Sequence, residues 1–215
     1  MAVNLSKIAI VGCGPGAAEY VTEAARRAVA GADVLFGGER FLNFFPDCPA
    51  KRIRIDADIP ATLGQIAGSR AAGERIAVLV SGDPGLYSLA QGIIRRFGRE
   101  GCEVVPGISS LQVAFARLGL SWTDARVLSA HGRAPGVPPA ELERSDKIVV
   151  LGGTRAALCW SAAVAAALEA SHAAFLAENL TLDNERCLGV TPGQLNEIDA
   201  APLSIVLLIR RSLLG

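Results

Sequence analysis

Short apolar runs broken by glycine-rich turns dominate the first half of the chain. Residues 8–11, 34–36 and Ile76–Val80 are uninterrupted hydrophobic stretches rich in Val and Ile. Runs of this kind predict strands buried on both faces, as in a parallel sheet. Residues 52–55 and 103–105 are shorter candidates for two more strands. Segments with helical spacing lie between them at residues 17–30, 39–45, 58–72, 86–97 and 109–118, several of them closed by glycine. Strand alternating with helix predicts a parallel sheet covered by helices. The rhythm resets near residues 119–124. Residues 126–130, Lys147–Leu151, 173–176, Arg186–Val190 and 204–209 predict five further strands, with helices only near 140–144 and 155–168. Parallel neighbours need crossover connections, and here there are too few helices to supply them. The second half is therefore expected to be a mixed, partly antiparallel sheet. The fold class predicted is α/β in two domains, residues 1–119 and 120–215.

Three turns of the first half share one design. Gly12-Cys13-Gly14-Pro15-Gly16, Ser81-Gly82-Asp83-Pro84-Gly85 and Pro106-Gly107-Ile108-Ser109-Ser110 each follow an apolar strand. Open α/β sheets bind ligands at the carboxyl ends of their strands, and glycines there let a ligand approach the backbone. Three such turns after three strands favour one binding crevice over three unrelated loops. Asp83 adds a single fixed negative charge, and it is also placed to cap the helix that follows. Ser109 and Ser110 open a helix, where the same donors serve a cap or a ligand.

The first turn also satisfies G-x-G-x-x-G/A through Gly12, Gly14 and Ala17, between a strand and a helix. An FAD- or NAD-dependent oxidoreductase is therefore an alternative reading. Two details oppose it. The acidic residue expected about 20 positions later is not in place, since Asp33 precedes the second strand and Glu39 lies beyond a Gly-Gly turn. Pro15 also removes a backbone N–H from the loop that should cradle pyrophosphate.

Composition narrows the classes further. Lys plus Arg and Asp plus Glu both number 21, so the net charge is zero and no nucleic-acid partner is expected. Five scattered cysteines without a CxxC pair, and only two histidines, argue against a metal site and for free thiols in a reducing compartment. The longest apolar stretch, residues 156–168, falls short of the roughly 20 residues that cross a bilayer. With no signal peptide before the first strand, a cytoplasmic protein without membrane contact is expected. His131 and Arg133 stand just past a predicted strand, at the start of a Gly- and Pro-rich loop. His172, beside a strand start, asks for no special role. The polar run 178–185 reads as a connection between strands with room for ligand contact.

GxGPG, SGDPG and PGISS in this order, before a second half without a dinucleotide signature, resemble the tetrapyrrole (corrin/porphyrin) methylases over residues 7–209. SGDPGLYSL at 81–89, SAHGR at 129–133 and ENLT…E at 178–185 are most similar to the branch that methylates C5 of precorrin-6Y or cobalt-precorrin-7. The resemblance implies S-adenosylmethionine as cofactor, two α/β domains with the ligand cleft between them, a homodimer, and C-methylation of a corrin precursor in cobalamin biosynthesis. Carried over motif by motif, it implies that Pro15, Gly82, Asp83, Leu86, Ser109 and Ser110 contact the cofactor from the first domain, and Leu151, Gly152, Pro202 and Leu203 from the second. Tyr87, His131 and Arg133 are assigned to the substrate side, and no general base is implied. Some relatives carry a fused domain that methylates and decarboxylates at C15. A chain of 215 residues implies a separate protein for that step, as a partner. A binding module that keeps the cleft without turnover is the non-enzymatic alternative.

Overall fold

A computed structural model describes residues 6–130, 134–199 and 201–215. The apolar runs of the first half form five strands, β1 (Ile8–Gly12), β2 (Val34–Gly37), β3 (Lys51–Arg54), β4 (Ile76–Val80) and β5 (Cys102–Val105). They lie in the order β3-β2-β4-β1-β5 and every pairing is parallel. Alternate side chains of these strands feed two separate cores, as a period of two requires. Ile8, Ile10, Phe36, Val78 and Val80 pack under α3 (Ile59–Ala71) and α4 (Ala90–Phe97) through Ile66 and Ile93. Val11, Leu35, Ala77 and Leu79 pack on the other face against Ala25 and Val29 of α1 (Glu23–Ala30) and Leu42 of α2 (Glu39–Leu42). The central strand β4 and its neighbour β1 are thus covered on both faces. Burying one such Ile, Leu or Phe side chain contributes about 1.5–3 kcal/mol.

Local hydrogen bonds and turns rather than the first apolar residue set two of the helix starts. Helix α1 begins after Thr22, whose hydroxyl accepts from Ala25 N–H at 3.1 Å. Residues 17–22, expected to be helical, instead form a short 3-10 turn before that cap. Helix α4 likewise starts at Ala90 rather than near residue 86. Tyr87 there has φ +46°, and the Ser88 hydroxyl accepts from Ala90 N–H at 3.1 Å while donating to Pro84 O at 2.7 Å.

The chain divides into two units, Met1–Ser109 and Ser110–Gly215. Helix α5 (Ser110–Leu118) continues the strand–helix rhythm of the first half, yet it groups with the second unit because it packs against β10 (Ser204–Arg210). The division therefore falls before α5, ten residues earlier than the one drawn after Gly119. The second sheet runs β6 (Arg126–Ser129), β7 (Lys147–Leu151), β10, β8 (His172–Glu178), β9 (Arg186–Val190). Only β6 and β7 are parallel, and the other pairings are antiparallel. Ile148, Val150, Leu176, Val206 and Leu208 face the alanine-rich α7 (Arg155–Ala167) and α8 (Pro192–Glu197). The short α6 (Pro139–Leu142) adds Leu142 to the same core. Helix α8 was not expected. Its signal is a capping box, with the Thr191 hydroxyl accepting from Gln194 N–H and the Gln194 side chain accepting from Thr191 N–H. Among the described residues, no helix is long and apolar enough to cross a membrane.

Candidate functional site

In the first unit the chain leaves β1 toward β2 through α1 on one face, and leaves β4 toward β5 through α4 on the other. Strands β1 and β4 are neighbours. Their carboxyl ends therefore form a topological switch point, where such sheets bind ligands. All three glycine-rich turns meet there. Gly82 N–H donates to Gly14 O at 2.9 Å and Gly14 N–H to Gly82 O at 3.4 Å, joining the first two turns. The third is joined by Asp83. Its Oδ2 accepts from Gly107 N–H at 3.1 Å, and its Oδ1 accepts from Gly85 N–H at 2.8 Å.

Close packing explains two of the glycines. A Cβ on Gly12 would lie 2.6 Å from Gly107 N and 2.7 Å from Gly82 O. A Cβ on Gly107 would lie 2.3 Å from Gly82 O. Nothing larger than hydrogen fits between these backbones. The three turns are thus one backbone assembly, and Asp83 straps its second turn to its third. It does not cap a helix, since α4 starts seven residues later. Within the assembly Pro15, Gly82 and Ser109 are buried, Asp83, Leu86 and Ser110 are half-buried, and Tyr87 is exposed. Tyr87 also holds a left-handed backbone conformation that is costly for a bulky side chain.

The charges near this sheet do not suit a dinucleotide. Asp33 forms a bidentate pair with Arg75, at 2.6 and 3.0 Å, and also accepts from Arg75 N–H at 2.8 Å. Those bonds hold its carboxyl down to about 2. Both residues precede their strands, so the pair sits at the end of the sheet opposite the turns. Glu39, at the correct end, pairs with Arg54 at 3.1 Å. The Cys13 thiol in the first turn is pushed up to about 12 by burial and stays protonated. It is packing, not a nucleophile.

The candidates of the second unit also gather at one end of its sheet. Leu151 O at the end of β7 accepts from Ala130 N–H at 2.8 Å, and Gly152 N–H donates to Ser204 O at 3.3 Å. A Cβ on Gly153 would lie 2.2 Å from Ala201 O. Leu151 and Gly152 are buried, whereas Pro202 and Leu203 are exposed. The residue that organises this end is Glu178, the last of β8, with its carboxylate buried. It accepts from Ala201 N–H at 2.8 Å and from the Arg186 guanidinium at 2.5 Å. Asn179 N–H donates to Leu203 O at 3.1 Å. Glu178 thus holds the backbone at Ala201, and the Asn179 N–H holds it at Leu203, on either side of Pro202. Sequence reasoning placed it in a polar connection. The missed signal is a carboxylate closing the apolar run of β8.

The rest of that connection is structural. Glu185 pairs with Arg117 and accepts from Thr181 N–H at 2.5 Å. The Arg117 bond chiefly lowers its pKa, and the pair holds Thr181 at φ +73°, an outlier for a β-branched residue. His172 is buried, with Nδ1 2.8 Å from the Ser171 hydroxyl and Nε2 2.8 Å from Ser145 O, so both ring nitrogens have partners. His131 and Arg133 lie outside the described residues.

Residues 7–198 match the family described as Tetrapyrrole (Corrin/Porphyrin) Methylases. The chain is 35% identical over 183 residues to the cobalt-precorrin-7 C(5)-methyltransferase of Salmonella typhimurium, covering 83% of this chain and 88% of that one. In fold it is similar to the precorrin-6Y methylase CbiE of Archaeoglobus fulgidus, with a TM-score of 0.74 and 22% identity across 95% of this chain and 98% of that one. It is equally similar to the uroporphyrin-III C-methyltransferase of Thermus thermophilus complexed with S-adenyl homocysteine, with a TM-score of 0.75 and 22% identity across 95% and 97% of the two chains. A family match over nearly the whole length, joined to a relative this similar, means that the chain belongs to the tetrapyrrole (corrin/porphyrin) methylases.

Proposed function

We propose that the protein is an S-adenosylmethionine-dependent C-methyltransferase that acts on C5 of a corrin precursor, cobalt-precorrin-7 or precorrin-6Y, in cobalamin biosynthesis. The observation that carries this reading is the near full-length similarity to the Salmonella typhimurium enzyme. The strapped corner at the β1/β4 switch point supports it. Its polar groups are backbone amides and carbonyls, the hydroxyls of Ser81, Ser109 and Ser110, and one carboxylate, Asp83, and its prolines, Pro15, Pro84 and Pro106, offer no N–H. A pyrophosphate would meet a negative charge there, whereas a cationic ligand would be favoured. S-adenosylmethionine fits that donor set, and when bound it supplies an electrophilic methyl group on a sulfonium.

The task of the chain's own residues is then positioning. Pro15, Gly82, Leu86, Ser109 and Ser110 are assigned to the cofactor, with Asp83 fixing the shape of the corner, and Leu151, Gly152, Pro202 and Leu203 are assigned to it as well. Holding two reactants in line at near-attack distance contributes about 7–11 kcal/mol. Transfer removes the sulfonium charge, so excluding water serves the reaction more than a strong base does. Tyr87, His131 and Arg133 are assigned to the acceptor. The same reading makes the working protein a cytoplasmic homodimer, whose product passes to a C15-methylating, decarboxylating partner.

The test is incubation with methyl-labelled S-adenosylmethionine and cobalt-precorrin-7, read by mass spectrometry and NMR. The expected product carries one labelled methyl on C5. Label on another carbon overturns the regiochemistry. NAD or FAD binding without S-adenosylhomocysteine binding overturns the whole reading.

A further inference from the structure

The arginines around β2 and β3 are not equivalent. Arg54 at the end of β3 pairs with Glu39 at 3.1 Å and with Asp56 at 3.3 Å. Arg52 donates to the carbonyls of Phe45 at 2.5 Å and Pro46 at 2.9 Å. Both are committed to holding their own loops. Arg40 is not. Among the described residues no carboxylate pairs with it, and no protein acceptor takes its N–H groups. Its guanidinium instead lies 4.6 Å above the centroid of the Phe41 ring.

That arrangement is costly unless something arrives. Arg40 is half-buried, and burial lowers its pKa from the ordinary arginine value. A partly desolvated cation without an anion stands against the rule that buried charges are paired. Stacking on the ring fixes the guanidinium plane and leaves its N–H fork unspent, ready for a planar bidentate anion. Its place is also specific. Phe41 packs on the same apolar cluster as Cys13 of the first turn. Strand β2 pairs with β4 through Phe36 and Val78, so α2 opens beside the turn that carries Asp83. The one uncommitted guanidinium of this group therefore sits at the rim of the strapped corner.

We propose that Arg40 is a substrate-binding residue, the anchor for one peripheral carboxylate of the macrocyclic acceptor. This rests on the methyltransferase reading, because a corrin precursor carries acetate and propionate arms around a ring that must be held in one rotational setting. A carboxylate on Arg40 would supply the missing counter-charge and fix which meso carbon faces the methyl donor.

The test uses the full chain with saturating S-adenosylhomocysteine, titrated with cobalt-precorrin-7 and followed by the corrinoid absorbance. Wild type, R40Q and R40K are compared, and S-adenosylhomocysteine affinity is measured separately by calorimetry. The expected result is about tenfold or greater weakening of macrocycle binding in R40Q, partial recovery in R40K, and cofactor affinity unchanged in both. Added salt should weaken wild type more than R40Q. Equal macrocycle affinity in wild type and R40Q overturns the anchor and leaves the methyltransferase reading standing. Loss of S-adenosylhomocysteine binding in both variants makes Arg40 a support of the first turn and overturns the anchor as well. Wild type that neither binds nor methylates the macrocycle overturns both the anchor and the reading beneath it.

Discussion

Replacing Asp83 by alanine removes a side-chain acceptor that bridges the second and third turns. Hydrogen bonds to a charged acceptor contribute about 1.5–3 kcal/mol when solvent is excluded. Asp83 is only half-buried and Gly85 is exposed, so water replaces the Gly85 bond at small cost. The Gly107 N–H is partly buried, and its bond keeps most of its value. Together they come to about 2 kcal/mol. If that energy serves to hold the third turn in place, S-adenosylhomocysteine affinity falls by about 30-fold. Thermal stability in the absence of ligand falls by about 4–8 °C for a chain of this size. Calorimetric titration and a melting curve read the two effects. D83N separates the strap from a direct charge effect. Its amide oxygen keeps one of the two bonds, so a strap predicts an affinity between wild type and alanine. A carboxylate acting by its charge on a bound cation predicts that D83N and D83A are equally poor, with a strong dependence on salt. An affinity within about threefold of wild type in D83A, with no change in melting, refutes the reasoning.

Three further outcomes are expected. Gly107→Ala must push Gly82 O away from a Cβ at 2.3 Å, so cofactor affinity should be lost, whereas Gly64→Ala in α3, with open space around its Cβ, should leave affinity unchanged and stabilise by up to about 1 kcal/mol in denaturant melts. Glu178→Ala should destabilise by about 2–3 kcal/mol in the same melts, less than a fully buried pair would lose, because the partner Arg186 is exposed and can return to water. Glu185 has a folded pKa below its ordinary value of about 4.3 because Arg117 bonds it, so its contribution is complete above the unfolded pKa and is lost as pH falls toward the folded one; the acid limb of a stability–pH curve should be shallower in E185Q.

The strands were readable because burial on both faces leaves a plain mark, an unbroken apolar run such as Ile76–Val80. The three turns were readable because glycine and proline punctuate the chain where the backbone must bend. What joins those turns was not. The contact of Gly12 with Gly107 spans most of the first unit in sequence, and only the parallel order β4-β1-β5 brings them together. Helix α5 misled for a related reason. Its local pattern continues the strand–helix alternation, but its partner, β10, comes about 90 residues later and no local pattern records it. The start of α1 at Glu23 depended on the Thr22 hydroxyl, and α4 starts at Ala90 only after a turn that holds Tyr87 at φ +46°, neither of which helical spacing records. The left-handed Tyr87 and Thr181 carry no composition signal, because neither residue is one that favours that conformation.

The same device recurs in the two units. In each, one carboxylate near the end of a strand accepts a backbone N–H from a later loop: Asp83 from Gly107, Glu178 from Ala201. In each, a glycine nearby lets two backbones touch, Gly107 against Gly82 and Gly153 against Ala201. Backbone held in this way presents N–H and C=O groups at fixed positions with no rotamer entropy to lose on binding. That suits a reaction whose demand is alignment rather than proton transfer. It also sets where mutation should hurt. Residues that grip the loops, Asp83 and Glu178, should alter cofactor affinity without moving the pH dependence of the methyl-transfer step, because neither takes up a proton in it. A bell-shaped rate profile that shifts in D83N or E178Q would mean that one of these carboxylates handles a proton, and the alignment account would then give way to acid–base chemistry.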